Sequence, residues 1–331
     1  MQATTEIVRA ASRRGSRQES TWSAPLGFRA ADGYELSGTR FEPAFAPPPR
    51  GTVIVHGATA TPQSYYRRFA ESLAKSGFRV VTYDYRGVGA SRPPSLRGFR
   101  ATMTDWARRD AAAVHRHVRE AFGDGPIAVV GHSFGGQLLG LLDAPADIAG
   151  AVLVGAQLGY FGHWPLVDRV KLGLLWHAVV PTVTATWGYL PGRLGTGEDL
   201  PRGVADEWAA WCRSPEYLVD HHPEAAATFS RYRCPVLLYS FTDDWYAPRA
   251  AVDAFVARLS SAPLTHRRVE PRDHGGPIGH FGFFRPRFED TLWQEVHGYL
   301  SDLFEGRPPT IEPAREPWFR DVMADLEHGR G

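Results

Sequence analysis

Gly131-His132-Ser133-Phe134-Gly135-Gly136-Gln137 is the stretch on which the reading of this chain turns. Before it runs Ile127-Ala128-Val129-Val130, a short apolar run bounded by Gly125-Pro126, which reads as a buried strand. After it, Gln137-Leu138-Leu139-Gly140-Leu141-Leu142 is apolar enough for a buried helix. A strand, a Gly-x-Ser-x-Gly turn and a helix together form the setting in which a serine is presented as a nucleophile. The reason is steric. The serine sits on a strained turn whose flanks approach neighbouring backbone, so the positions two before and two after it must lack side chains. Ser133 is thereby lifted to the N-terminus of a helix, where free N–H groups and the helix dipole favour negative charge.

Working outward, strand and helix patterns alternate. Two short strand-like runs within 26–41 flank Ala31-Asp32-Gly33, a hairpin turn signal. Thr52-Val53-Ile54-Val55-His56 is a β-branched run without alternation, as expected for a parallel strand buried on both faces. The spacing of Tyr66, Phe69 and Leu73 predicts a helix over 63–76 that closes at Gly77, and a strand follows at 78–83. A long helix is expected over 104–122, strands over 148–154, 236–239 and 264–269, and helices over 249–259 and 291–304. This rhythm predicts an α/β fold with a mostly parallel sheet, preceded by an antiparallel hairpin.

The rhythm stops near residue 158. Residues 158–232 hold Trp164, Trp176, Trp187, Trp208 and Trp211, with Pro165, Pro181, Pro191 and Pro201 expected to break them into short pieces. We read this segment as a helical cap inserted before the acid strand, over the sheet's C-terminal edge, where open α/β folds bind ligands. Its tryptophans give the pocket an apolar roof. The expected organisation is thus a flexible tail at 1–22, a core at 23–157 and 233–304, the cap at 158–232, and an extension at 305–331 with a helix over 318–326.

Among the 331 residues, 43% are hydrophobic and 22% charged, the balance of a soluble globular protein. A net charge of +1 gives no electrostatic case for nucleic acid or an anionic membrane surface. Two cysteines, Cys212 and Cys234, are too few for a disulfide framework and fit a reducing compartment. No apolar run reaches the ~18 residues of a membrane span. Arg13-Arg14 lacks the apolar stretch an export signal needs, so the expected location is cytoplasmic. Gly87-Val88-Gly89 lacks the third glycine of a dinucleotide site, and His221-His222 has no partners at metal-ligand spacing, so no cofactor is expected.

A serine hydroxyl needs a general base, itself oriented by an acid, and on such a fold the chain order is serine, acid, histidine. Asp243 and Asp244 follow the strand at 236–239. Asp244 stands four residues before Pro248, which opens the next helix, and is the favoured acid; Asp243 remains the alternative and would otherwise cap the turn. His280, in Gly279-His280-Phe281-Gly282, is favoured as base over His274, which lies in a more polar stretch, and over His297 inside the last helix. Two backbone N–H donors should receive an oxyanion: those of Phe134, after the serine, and Ala58, in the loop opened by His56-Gly57. His56 itself stands at a strand end and is expected to be structural.

These stretches, with Asp84-Tyr85-Arg86-Gly87-Val88-Gly89-Ala90-Ser91 and the segment Gly197-Glu198-Asp199-Leu200-Pro201, make the chain resemble an α/β-hydrolase of the serine-aminopeptidase and monoacylglycerol-lipase-like group. More narrowly, residues 24–304 resemble a bacterial subgroup of α/β-hydrolases. The resemblance implies a Ser-Asp-His triad and ester chemistry, and it strengthens His280. One departure is Ser240, where many relatives carry glycine at the acid turn. The expectation is a serine hydrolase of a small carboxylic ester or thioester with an apolar acyl or aromatic part. An acyltransferase on the same triad and a catalytically silent binding protein are the alternatives, with a peptidase ranked below; the oligomeric state stays open.

Overall fold

Short, largely apolar runs rich in β-branched residues form the centre of an eight-stranded sheet in the computed structural model, which describes residues 21–44, 48–143, 147–195 and 197–309. The strands are β1 (Thr21–Arg29), β2 (Glu35–Pro43), β3 (Thr52–His56), β4 (Arg79–Tyr83), β5 (Ile127–His132) and β6 (Ile148–Val154). The chain then forms a two-residue ladder, β7 (Tyr189–Leu190) with β8 (Leu200–Pro201), before returning to the sheet as β9 (Val236–Phe241) and β10 (Leu264–Val269). Their order is β1-β2-β4-β3-β5-β6-β9-β10. The β1–β2 and β2–β4 pairs are antiparallel and the rest parallel, so the expected α/β-hydrolase architecture is present.

β3 and β5 are buried at every position, as strands with both faces covered must be. One face packs Phe69, Phe283, Trp293 and Tyr299; the other packs Trp106, Leu138, Trp211 and Phe255. The hairpin is longer than the sequence suggested. β1 begins at Thr21, inside the stretch expected as tail, because Thr21 and Trp22 pair with Pro43 and Glu42. As an edge strand it tolerates the missing N–H of Pro25. Residues 1–20 and the helix expected over 318–326 lie outside the described residues.

Two helices differ from their expectation in the same way. The 104–122 helix contains a π-helical turn, Trp106–Ala111, and the helical run after Pro165 contains another, Leu175–Val179. The second precedes Pro181, which lacks an N–H, so a wider turn absorbs the proline and the helix Val180–Trp187 continues instead of breaking. The helix after Ser133 is also shorter than expected: Phe134–Gln137 gives way to a tighter turn at Leu138–Gly140. Between β6 and β9 the chain is mainly helical, with Leu166–Leu174, Arg202–Arg213 and Glu224–Arg231 as its longer members besides Val180–Trp187.

Candidate active site

Steric necessity is visible around Ser133. Its φ of 51° is a left-handed value that an L-residue adopts only under constraint. A Cβ at Gly131 would stand 2.6 Å from Gly135 O, one at Gly135 2.0 Å from His56 O, and one at Gly136 2.6 Å from the Ala156 Cβ. The three glycines are thus the condition for the turn between β5 and its helix. Ser133 N–H donates to Val154 O of β6 (2.9 Å), which ties the turn to the sheet.

The acid and the histidine arrive from the other half of the sheet. Asp244 follows β9, and its Oδ2 accepts from His280 Nδ1 at 2.7 Å, with both side chains buried. Its Oδ1 accepts the N–H groups of Tyr246 (2.9 Å) and Ala247 (3.1 Å), which fixes the carboxylate plane. Asp243 faces the other way: Oδ2 accepts from Ile278 N–H (2.8 Å) and Oδ1 from Gly279 N–H (3.0 Å). The geometry therefore pairs Asp244, not Asp243, with His280, and Asp243 braces the histidine's own turn. Ser133, Ala58 and His280 line one cavity of about 380 Å³. Phe134, buried, opens the helix there, where the first N–H groups have no intrahelical acceptor.

The Ala58 N–H departs from expectation. It donates to Tyr66 Oη at 2.8 Å instead of standing free. From there a buried relay runs on: Tyr66 O–H to His132 Nδ1 (2.8 Å), then His132 Nε2–H to the carbonyl of His280 (2.9 Å). An amide can only donate and a carbonyl only accept, so every direction is fixed and His132 is the neutral Nε2–H tautomer. Burial, reinforced by neighbouring His280, holds the His132 pKa well below its ordinary value, in agreement with that tautomer. Tyr65 O–H also donates to Phe281 O. The turn Gly279–Gly282 is thus gripped by Asp243, His132 and Tyr65.

The remaining candidates lie elsewhere. His56 Nδ1 meets Tyr83 Oη at 2.7 Å and its Nε2 meets His115 Nε2 at 3.2 Å, a structural pairing deep in the core. His297 sits against Ser72 and Ser76. His274 ends a tight turn at Pro271–His274. Ser240 is fully buried and its Oγ meets His266 Nε2 at 2.8 Å, so the departure at the acid turn serves the β9–β10 pairing. Sequence reasoning missed Tyr66, read there only as an apolar helix position, and His132, the residue before the serine. It also missed Gly155 (φ 59°), where a Cβ would lie 3.2 Å from His280 Cε1. The signal for Tyr66 was the adjacent Tyr65-Tyr66 pair, since a buried tyrosine must place its hydroxyl.

The cavity walls are mostly apolar: Trp164, Leu172, Leu175, Trp176, Val180 and Trp208 come from the helical segment between β6 and β9. Trp164 Nε1–H donates to Trp245 O (2.9 Å), joining that segment to the acid turn. A larger cavity of about 730 Å³ is lined by Arg108, Arg116, Arg119 and Arg231 and lies away from Ser133. Among the described residues, no group of three or more His, Cys, Asp or Glu side chains could hold a metal, and no helix is long and apolar enough to cross a membrane.

Sheet order, elbow and chain order together define an α/β-hydrolase fold. A family profile described as "alpha/beta hydrolase fold" matches residues 53–175. The likeness to the α/β-hydrolases is one of profile over residues 53–175 and of fold over the whole sheet. Solved structures agree on the fold. An esterase of Pyrococcus furiosus, Pf2001, is 16% identical with a TM-score of 0.52, covering 87% of this chain and 93% of that one. A thermophilic esterase from Thermogutta terrifontis, solved with malate bound, is 18% identical with a TM-score of 0.53, covering 85% and 99%. DcsB, solved in complex with its substrate analogue, is 16% identical with a TM-score of 0.55, covering 86% and 99%. No curated protein matches the chain.

Proposed function

We propose that this chain is a serine hydrolase that cleaves a carboxylic ester or thioester through an acyl-enzyme on Ser133, His280 and Asp244. One observation carries the reading: the imidazole of His280, bonded to a buried carboxylate at 2.7 Å, shares a cavity with a serine held at φ 51°. In this reading Ser133 Oγ attacks the carbonyl carbon while His280 Nε2 takes its proton, and Asp244 holds Nδ1–H and balances the imidazolium. The Phe134 N–H receives the oxyanion at the helix N-terminus; the Ala58 N–H joins only by exchanging its Tyr66 acceptor. Collapse expels the alcohol or thiol, which takes the proton from His280. Water then attacks the acyl-serine with His280 as base, releasing the carboxylic acid and restoring Ser133.

Residues 158–232 act as the cap that forms the acyl pocket and limits water, and the two cysteines, both free, fit work in the cytoplasm. That two of the structural relatives are esterases supports an ester as the substrate class. The test is Ser133→Ala. Turnover of short p-nitrophenyl esters and labelling by a fluorophosphonate are both lost; wild-type turnover by the variant refutes the reading.

A further inference from the structure

The cavity has one polar wall. Gln137 and Gln157 both line it, and both are nearly inaccessible, at 2% and 7% exposure. Tyr217 O–H donates to Gln137 Oε1 at 3.1 Å, Gln137 Nε2 donates to Gln157 Oε1, and Gln157 Nε2 donates to Tyr246 O at 3.1 Å. The series ends on a carbonyl, which only accepts, so each amide is oriented without ambiguity. Each amide nitrogen carries two hydrogens, and this series uses one from each. Among the described residues the second N–H of each has no acceptor, and the tryptophans and leucines nearby offer none. Inside the cavity each of these N–H groups is left to donate to whatever occupies it. The hydrolytic steps above use neither glutamine.

Position narrows what the donors serve. Gln137 N–H donates to Ser133 O at 3.3 Å, so the two backbone positions lie about one helical turn apart, and both residues line the same cavity. Building on the ester-hydrolase reading, we propose that the substrate's acyl part carries an oxygen acceptor (a keto, hydroxyl or ether oxygen) about three to four bonds beyond the reacting carbonyl, the span of one helical turn. Gln137 and Gln157 receive that oxygen. The rest of the acyl part is apolar and packs against Trp164, Trp176 and Trp208. Gln137 and Gln157 are then specificity residues, selecting an oxygenated acyl group over a plain one of equal length. A site built to donate hydrogen bonds rejects an analogue that lacks the acceptor.

The experiment compares p-nitrophenyl 4-oxopentanoate with p-nitrophenyl pentanoate and hexanoate on the wild-type protein. Each kcat/KM is divided by that ester's own hydroxide rate, to remove differences in intrinsic reactivity. The expected result is a preference of tenfold or more for the oxo ester. Gln157→Met and Gln137→Met bring the ratio to about one. A wild-type ratio near one overturns the inference without recourse to any variant, and so does a preference that survives both substitutions. Hydrolysis of neither series by wild type, with no labelling of Ser133, overturns the ester-hydrolase reading itself. Hydrolysis of both at equal rates overturns the specificity alone.

Discussion

Asp244→Asn separates the two adjacent aspartates by consequence. In the wild-type arrangement Oδ1 accepts two backbone N–H groups, from Tyr246 and Ala247, while Oδ2 accepts the proton on His280 Nδ1. Asparagine has one oxygen, and the two backbone donors claim it. Its NH2 must then face His280 Nδ1 across 2.7 Å, which forces that nitrogen to accept and moves the ring proton to Nε2. An imidazole protonated at Nε2 cannot take the serine proton. Side-chain volume and packing scarcely change, so the fold stays intact and the loss is one of tautomer. The corresponding defect in serine hydrolases is about 10⁴-fold in kcat, or ~5 kcal/mol of barrier. The assay is kcat for a short p-nitrophenyl ester, with thermal unfolding as the control for structure. Asp243→Asn serves as comparator: it retains one acceptor for the Ile278 and Gly279 N–H groups and falls by no more than about tenfold, the loss of a single hydrogen bond. A ranking in which Asp243→Asn is inactive and Asp244→Asn is within tenfold of wild type refutes the reasoning.

Three further outcomes are expected. Tyr66→Phe removes the acceptor of the Ala58 N–H and the donor to His132, loosening the His280 carbonyl; kcat falls about tenfold with little change in KM, against a stability cost of ~1–3 kcal/mol. Tyr85→Phe, which deletes a comparably buried hydroxyl bonded to Gly57 O, costs similar stability and leaves kcat nearer wild type. Gly155→Ala forces a side chain into φ 59° and to within 3.2 Å of the imidazole, so kcat drops by about tenfold or more while the unfolding midpoint falls by the equivalent of ~1–2 kcal/mol. Burial holds His115, His266 and His297 at pKa values of about 4, below the ordinary 6.5. The unfolded chain therefore binds more protons between pH 6.5 and 4. Stability is full above pH 6.5 and is lost as pH falls through that window, at up to ~1.4 kcal/mol per unit for each histidine. Denaturant unfolding at several pH values reads the slope, and a flat profile across that window contradicts it.

The elbow was legible because its chemistry is local: three small residues at fixed offsets answer a clash that any such turn creates. The parallel strands were legible for a similar reason, since burial on both faces leaves the middles of β3 and β5 apolar and confines Thr52, His56 and His132 to their ends. What stayed hidden depends on contacts made across the fold. Asp244 was favoured over Asp243 only by its spacing before Pro248; what each carboxylate touches, one the backbone at 278–279 and the other the ring at 280, depends on contacts from a distant turn. The fate of the Ala58 N–H was invisible because its acceptor belongs to a side chain eight residues on, whose hydroxyl is itself oriented by His132. The π-helical turns escaped notice because a widened turn leaves the apolar spacing nearly unchanged, and Pro181 suggested a break where the helix accommodates it.

The division of work between Asp243 and Asp244 also makes the length of that corner a constraint on the architecture. One residue gained or lost between Phe241 and Asp243 would rotate both carboxylates about the chain, handing the backbone the wrong oxygen pair and leaving the ring without any. Indels at this corner are thus far less tolerable than substitutions. An engineer trimming loops to harden the molecule should leave these few residues uncut.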